Sequence, residues 1–348
     1  MSDIEIRDLY KIFGPDAAHH VDAVKAGLGK TELNERHNHV LGLQDINLTI
    51  PEGRITVIMG LSGSGKSTLI RHINGLIRPT AGQVLYDGGD VVTMSRDQLR
   101  EFRRRKTAMV FQKFALLPHR TVLRNTTYGL DIRGLDRPEA ERRARHWIER
   151  VGLKGYEEYY PKQLSGGMQQ RVGLARALTN DAEILLMDEA FSALDPLIRV
   201  DMQGILLELQ AELRKTVIFI THDLDEALRL GDKIAILRDG AMEQIGTGQQ
   251  IVLSPANSYV AEFVREVNRG RIIEAATVAG PVPDGAALPP FRVKARSKLD
   301  LVARRMTREG VSSAQVCDVS GKVIGVIDLP GILDAMVNPA DAATEAET

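Results

Sequence analysis

The sequence predicts an α/β fold built around a mainly parallel sheet. Three observations predict it: short apolar segments rich in β-branched residues, helical patterns between them, and a glycine-rich loop directly after the first segment. A segment that is apolar on both faces is typical of a strand covered by helices on each side, and the alternation favours parallel pairing. The predicted strands cover residues 55–60, 107–112, 183–188, 216–221 and 233–240.

The composition excludes several classes of protein. The 348 residues, 43% of them hydrophobic, can form a large core in two or three domains. The net charge of −1 does not favour nucleic acid as a partner, and we expect the basic run 99–106 to be a solvated helix face. Cys317 is the only cysteine, which fits a reducing compartment. No apolar run reaches the roughly 18 residues of a membrane span, and the charged N-terminus predicts no signal peptide.

The chain is expected to have four parts. Residues 1–270 form the α/β domain, with a partly helical insertion at 14–40 that follows the first strand. A Pro/Gly-rich linker is predicted at 271–296, and a helix–strand–strand–helix unit at 297–337. Residues 338–348 are polar and acidic and are expected to be disordered. The letters His-Asn-His at 37–39 lack the further ligands that a metal site requires.

The glycine-rich loop fits the phosphate-binding pattern G-x-x-x-x-G-K-[ST], and we name residues 60–68 the P-loop. Its glycines let backbone N–H groups turn toward phosphates without a Cβ in the way. Lys66 is expected to reach the β- and γ-phosphates, and Ser67 to place its hydroxyl on Mg²⁺. The predicted nucleotide contacts are Gly60, Leu61, Ser62, Gly63, Ser64, Gly65, Lys66, Ser67 and Thr68.

Polar residues also follow three of the other predicted strands. Asp188 and Glu189 end one strand, and because neighbouring strand residues point to opposite sides, they can take different roles. We expect Asp188 to hold Mg²⁺ and Glu189 to polarise the attacking water. Gln112 is predicted to contact the metal or the water, and His222 the γ-phosphate, since open α/β sheets bind ligands at these strand ends.

A second glycine-rich stretch, residues 163–172, contains a serine and two glycines and can continue as a helix. Exposed N–H groups at a helix start attract anions, yet this stretch has no lysine. With these residues in this order, the chain resembles ATP-binding cassette (ABC) ATPases over about residues 4–265. Residues 164–170 match the family's signature loop, residues 192–195 its D-loop, and residues 221–222 its switch histidine.

The resemblance implies an ABC ATPase with a mainly parallel sheet, an antiparallel subdomain and a helical subdomain at about 113–180. It also implies a head-to-tail homodimer, in which the signature loop of one subunit completes the nucleotide site of the other. Its implied contacts to ATP are Ser165, Gly166, Gly167, Gln169 and Asp195. For the adenine, the family's spacing favours stacking on Phe13 over Tyr10.

Five longer stretches resemble the ATPase subunit of bacterial importers for quaternary amines such as glycine betaine, proline betaine and choline. That branch implies ATP and Mg²⁺, integral membrane permease subunits, a periplasmic or lipid-anchored substrate-binding protein, and a place on the cytoplasmic face of the inner membrane. Residues 297–336 resemble one cystathionine-β-synthase (CBS) repeat, which we expect to pair with the other subunit's copy.

Two other functions stay open from the sequence. An importer for another small solute, such as an amino acid, would share the motifs named above. A DNA-associated ABC ATPase would carry a long coiled coil between its P-loop and its signature loop. The interval from 68 to 164 has no sustained heptads, which argues against that second function.

Overall fold

A computed structural model describes residues 3–112, 115–282 and 288–337. The chain divides into two compact units, the first ending at Glu243 and the second beginning at Gln244. This division lies before the boundary near residue 270 that the sequence suggested. None of the described helices is long and apolar enough to span a bilayer.

The described strands follow the predicted segments closely and add several more. Their bounds are β1 Ile4–Phe13, β2 Val40–Ile50, β3 Ile55–Met59, β4 Ala81–Tyr86, β5 Gly89–Asp90, β6 Thr107–Phe111, β7 Ile184–Asp188, β8 Thr216–Thr221, β9 Lys233–Arg238, β10 Ala241–Gly246, β11 Arg292–Lys294, β12 Ser313–Cys317 and β13 Val323–Asp328.

The described α-helices occupy most of the intervals between the strands, and three 3₁₀ turns accompany them at Ala17–His20, Pro161–Gln163 and Arg269–Arg271. Their bounds are α1 Val21–Lys25, α2 Lys30–His37, α3 Lys66–Ile73, α4 Arg96–Arg105, α5 Val122–Arg133, α6 Arg137–Arg150, α7 Gly166–Thr179, α8 Pro196–Leu213, α9 Leu224–Leu230, α10 Gly248–Leu253, α11 Ser258–Val264, α12 Ala275–Val278, α13 Leu299–Glu309 and α14 Leu329–Val337.

The central sheet has the order β10-β9-β3-β8-β7-β6, and β3, β6, β7, β8 and β9 pair in parallel, as predicted. Its register positions the site. Met59 pairs with Thr221, and Phe111 pairs with Asp188. The residues that follow these strand ends, Gly60, Gln112, Glu189 and His222, therefore emerge at one edge of the sheet.

A second, antiparallel sheet of order β2-β1-β4-β5 packs against the first unit's main core, which includes Ile58, Leu69 and Ile218. The inserted segment after β1 contributes α1 and α2 and has a small core of its own. In that core, Val21, Val24 and Leu33 pack with Tyr10 and Ile12.

The helices α5, α6 and α7 contact one another and lie within the span 113–180 that the family resemblance assigned to a helical subdomain. Helix α5 is capped by Thr121, whose hydroxyl accepts a hydrogen bond from the Arg124 backbone N–H. The segment that leads into α5 from β6 contains residues 113 and 114, which lie outside the described residues.

The second unit has the predicted order α13, β12, β13, α14 and a third strand, β11, that pairs with β12 in parallel. The interpretation of 271–296 as a linker is wrong for part of that span, because Ile273, Ala275 and Val293 are buried in this unit's core. These residues cover apolar surface that two strands and two helices would leave open. Residues 283–287 and the expected disordered tail, 338–348, lie outside the described residues.

Candidate functional site

The P-loop connects β3 to α3 and is held by close backbone approaches. Gly60 and Gly65 have φ values of 152° and 103°, conformations that side-chain-bearing residues rarely adopt. A Cβ on Gly60 would lie 2.2 Å from the carbonyl oxygen of Leu237, and one on Gly65 would lie 2.7 Å from the carbonyl oxygen of Gly42. Both positions therefore require glycine, as the motif predicted.

Lys66 is folded back onto the loop and is only 4% exposed. Its ammonium donates hydrogen bonds to the carbonyl oxygens of Gly60 and Leu61, at 2.8 and 2.9 Å. Burial lowers the pKa of Lys66, while the nearby carboxylates of Glu189 and Asp188 act in the opposite direction. The cation has neutral carbonyl partners, and a phosphate group could replace them with a stronger, charged interaction.

Ser67 and Asp188 form the oxygen-rich pair that the sequence predicted as a metal site. The Ser67 hydroxyl donates to Asp188 Oδ1 at 2.9 Å. Burial raises the pKa of Asp188, and the hydrogen bond from Ser67 opposes this rise. The Ser64 hydroxyl is also buried, without a partner among the described residues. A buried carboxylate beside a hydroxyl suits Mg²⁺, which takes few protein oxygens and completes its shell with water and phosphate.

The described residues contain no cluster of protein side chains that could hold a metal ion without other ligands. Among the described residues, no group of three or more His, Cys, Asp or Glu side chains is arranged to hold a metal ion. The near-contact of His20, His37 and His39 rings, whose centroids lie about 4.5 Å apart, accordingly forms no such site.

Glu189 lies at the centre of the predicted catalytic residues. Its Oε2 accepts a hydrogen bond from Gln112 Nε2 at 3.1 Å and lies 3.5 Å from His222 Nδ1, while its Oε1 lies 3.8 Å from Lys66 Nζ. Glu189 has a φ of 46°, in the left-handed region that costs a side-chain-bearing residue free energy. Its backbone N–H donates to the Ile220 carbonyl, which fixes this conformation.

Sequence reasoning missed one member of this cluster, Ser192. Its hydroxyl accepts from Gln112 Nε2 at 3.3 Å and donates to the Glu189 carbonyl at 2.9 Å. Ser192 thereby links Gln112 to the backbone of Glu189. The residue was visible as the first position of the D-loop, but a role for its hydroxyl depends on the turn after β7, which the sequence pattern does not specify.

The two candidates for adenine stacking differ in exposure. Tyr10 is 7% exposed and belongs to the core of the inserted segment, whereas Phe13 is 40% exposed at the end of β1. A Cβ on Gly42 would lie 2.7 Å from the Phe13 ring, and a Cβ on Gly65 would lie 2.7 Å from the Gly42 carbonyl oxygen. Gly42 therefore lies between the Phe13 ring and Gly65 of the P-loop. Lys11 Nζ lies 4.9 Å from the centroid of the Phe13 ring.

The signature loop lies apart from this cluster. Ser165 caps α7, its hydroxyl accepting from the Met168 backbone N–H, and Gln169 Nε2 donates to the Leu164 carbonyl. Ser165 and Gly166 are exposed. Within the described part of the chain, no hydrogen bond or ion pair joins residues 165–169 to the P-loop. Asp195, at the start of α8, is likewise exposed and its side chain makes no capping hydrogen bond.

A cavity of about 440 Å³ lies between α4, β6, α5 and α7. Its wall is largely apolar and includes Met109, Phe111 and Ile132. Arginines also line it, among them Arg100, Arg103 and Arg104 of the basic run that was expected to be only a solvated helix face. The wall includes Phe111, the residue before Gln112 in the chain.

The strand ends of the parallel sheet present a P-loop, the Ser67–Asp188 pair and a polar cluster around Glu189. Together these features define a P-loop nucleotide-binding protein. The family model described as ABC transporter matches residues 43–192. The glycine betaine transport ATP-binding protein OpuAA of Bacillus subtilis is 50% identical over 93% of this chain and 76% of its own length. The chain belongs to the family of ABC transporter ATP-binding proteins.

Two further comparisons agree with that assignment. The trimethylamine N-oxide transport system ATP-binding protein TmoW of Ruegeria pomeroyi is 45% identical, over 96% of this chain and 97% of its own length. A solved dimeric structure of a bacterial ABC transporter cassette superposes with a TM-score of 0.60 and 33% identity, over 70% of this chain and 98% of that chain.

Proposed function

We propose that this chain hydrolyses ATP as a homodimer and thereby powers import of a quaternary ammonium compound through separate membrane subunits. The observation that carries the hydrolytic part is the position of Glu189, whose carboxylate is close to Lys66, Gln112 and His222. A carboxylate that lies beside a cation and accepts a hydrogen bond from an amide is positioned to accept a proton from water.

The residues divide the work at this site. Ser67 and Asp188 would hold Mg²⁺, which, when bound, neutralises charge on the phosphates. Lys66 binds the β- and γ-phosphates and Gln112 orients the Glu189 carboxylate through its amide. Glu189 accepts the proton of the attacking water, and His222, whose Nδ1 lies 3.5 Å from the Glu189 carboxylate, contacts the γ-phosphate.

The exposed start of α7 supports the dimer. Ser165, Gly166 and Gly167 present a hydroxyl and backbone N–H groups at the surface, with no cation of their own. An ATP held by the P-loop of a second copy supplies the missing anion together with its Lys66. The exposed Leu301, Ile324 and Leu333 of the second unit are consistent with pairing of that unit as well, which stays a prediction.

The arginine-lined cavity next to Gln112 supports docking of a membrane permease subunit. A helix or loop with apolar side chains and a carboxylate would match the apolar wall and the arginines that line it. Such a segment would lie beside the residue before Gln112, so its movement would reach the catalytic cluster. We therefore also propose that the chain acts at the cytoplasmic face of the membrane, with a substrate-binding protein on the other side.

The proposed solute class comes from the relatives. Their names specify transport of glycine betaine and trimethylamine N-oxide, both of which carry a fully substituted, positively charged nitrogen. Solute selection is the task of other subunits, because nothing in this chain's nucleotide site would contact such a molecule. We therefore assign this chain to a transporter of quaternary amines on the strength of sequence similarity over nearly its whole length.

Uptake by intact cells tests the proposal. Cells deleted for this chain's gene are supplied with the wild type or with Glu189→Gln, and given labelled glycine betaine, choline or an amino acid. We expect the wild type to restore uptake of a quaternary amine and the variant to restore none. Restored uptake of the amino acid alone would instead assign the chain to the alternative importer class.

The same substitution tests the assigned base in purified protein. Glu189→Gln should lower ATP turnover by about a hundredfold or more, since the proton acceptor is lost while the amide keeps the side-chain shape. With turnover blocked, an ATP-bound dimer should accumulate and be visible by size-exclusion chromatography. Hydrolysis by the variant at the wild-type rate would mean that another group accepts the proton.

A further inference from the structure

We propose that Arg199 is a positioning residue that ties the D-loop to His222, so that a second copy seated on the D-loop sets the position of the histidine at the active site. The inference rests on the proposed function, because it assumes ATP hydrolysis by a dimer. Arg199 has no part in the nucleotide site itself: it lies one turn into α8, and no motif marks it.

One side of the Arg199 guanidinium holds the D-loop backbone. Its NH2 nitrogen lies 3.4 Å from the Ser192 carbonyl oxygen and 3.3 Å from the Leu194 carbonyl oxygen, and donates to both. Because one nitrogen of Arg199 donates to two carbonyl oxygens of the same turn, these hydrogen bonds fix the backbone of the D-loop where it enters α8. Since the Ser192 hydroxyl bonds to Gln112 and to the Glu189 backbone, this side of the arginine is connected to the catalytic cluster.

The other side of the guanidinium holds the residue after the histidine. Its NH1 nitrogen donates to Asp223 Oδ2 at 3.2 Å, with both side chains partly buried. Asp223 is itself fixed at two further points. Its Oδ1 accepts from the Glu226 backbone N–H, which caps α9, and its own backbone N–H donates to the Thr221 hydroxyl. A shift of Asp223 must therefore displace His222, its neighbour in the chain.

A second contact one turn further along α8 reinforces the first. Gln203 Nε2 donates to Glu226 Oε1 at 3.1 Å, in a buried position. Positions 199 and 203 lie on the same face of α8, and residues 223 and 226 lie at the start of α9. Two polar contacts in register make α8 and the start of α9 move as one body, whereas a single exposed contact would let them slide.

The D-loop end of this body faces outward. Leu197, in the first turn of α8, is 80% exposed, and Asp195 beside it is exposed as well. A second copy covering this surface would press on the turn that Arg199 holds. The buried Nε of Arg199 has no partner among the described residues, so the guanidinium retains one donor for a rearranged D-loop.

Kinetics of a double-mutant cycle test the inference. Arg199→Met should lower kcat about tenfold, with KM and nucleotide affinity changed by less than about twofold, since the nucleotide contacts are untouched. In a His222→Ala background, measured by single-turnover hydrolysis, Arg199→Met should cost less than about twofold more, because the residue it acts through is absent. Losses that multiply would assign Arg199 a general structural role and overturn the inference.

Two further variants keep the result interpretable. Asp223→Asn retains an oxygen to cap α9 and removes only the charge that Arg199 meets, so it should reproduce the loss if Arg199→Met proves unstable. Arg229→Met is the matched control: Arg229 also joins these two helices, donating to the Val200 carbonyl, and none of its hydrogen bonds or ion pairs in the described part of the chain reaches the D-loop or Asp223. An equal loss in Arg229→Met would overturn the inference.

The outcomes separate this inference from the function on which it rests. Wild-type protein that hydrolyses ATP and loses this activity in Glu189→Gln establishes the function first. Multiplicative losses at Arg199 and His222 would then overturn only the role of Arg199. Wild-type protein without hydrolysis would overturn both.

Discussion

The P-loop and the signature loop have the same local design in opposite settings. Each places serines and glycines at the start of a helix, α3 or α7, where backbone N–H groups favour an anion. In the P-loop, Lys66 is buried and bonded to its own loop, and the carboxylates of its site lie within reach. The signature loop exposes Ser165 and Gly166 and contains no lysine or arginine. The difference teaches that two similar helix starts can differ in whether a cation of the same chain lies beside them.

The largest effects are expected from substitutions in the two loops, which should differ in whether nucleotide binding by the monomer is lost together with hydrolysis. Lys66→Ala removes the cation from the loop that holds the phosphates, so it should abolish both nucleotide binding by the monomer and hydrolysis. Gly166→Asp adds a negative charge to the outward helix start, so monomer binding should persist while hydrolysis falls by about a hundredfold. Fluorescent nucleotide titration and phosphate release measure the two properties.

The control for this pair is Gly29→Asp, the same substitution at another exposed helix start with open space around it. It should change neither property, because an aspartate suits that capping position. A Gly166→Asp protein that lost monomer binding as severely as Lys66→Ala would show that the signature loop serves its own chain's nucleotide.

A smaller loss of nucleotide affinity is expected from substitution of Phe13, which is proposed to stack on the adenine of the ATP that the P-loop holds. Phe13→Ala should weaken ATP affinity by about tenfold through lost stacking, while the melting temperature changes little because the ring is exposed. Tyr10→Phe, at the buried alternative, should leave affinity unchanged. Equal affinities for wild type and Phe13→Ala would place the adenine elsewhere.

The smallest effect is expected in α3, the helix that follows the P-loop, when the pH is lowered. His72 of α3 is buried, its Nδ1 donates to the Thr68 carbonyl, and burial lowers its pKa to about 4. The unfolded chain takes up this proton near pH 6.5 and the folded chain only near pH 4, so folding stability falls as the pH drops through that window. Between pH 7 and pH 5 the free energy of unfolding should fall by about 2 kcal/mol on this account.

Urea unfolding at pH 7 and pH 5 measures this fall in the free energy of unfolding. His72→Gln should lose less stability on acidification than the wild type does, since it has no group to protonate. His146→Gln on α6, where the histidine is exposed, is the matched control variant. An unchanged pH dependence in His72→Gln would mean that His72 is protonated in the folded protein.

Strand ends explain why most of the site could be predicted from sequence. The apolar runs define the strands, and parallel register then brings Gln112, Glu189 and His222 to one edge without any knowledge of loops. The choice between Tyr10 and Phe13 was harder, because register shifts between Leu9 and Ile12 alter which face each residue of β1 takes.

Contacts made by irregular turns could not be predicted from sequence patterns. The bonds of Ser192 and Arg199 depend on carbonyl directions in an irregular turn, which no periodicity encodes. The predicted linker failed for a related reason. Its proline and glycine content described only its middle, while Ile273 and Val293 at either side belong to the core of the second unit.

The outward-facing start of α7 has a genetic consequence. If each nucleotide site takes its P-loop from one chain and its signature loop from another, two inactive alleles can rescue each other. A Lys66→Ala chain keeps a sound signature loop, and a Gly166→Asp chain keeps a sound P-loop. Expressed together, each mixed pair assembles one site with both halves intact and one with both halves damaged. Cells that carry both alleles would regain transport that neither allele supports alone.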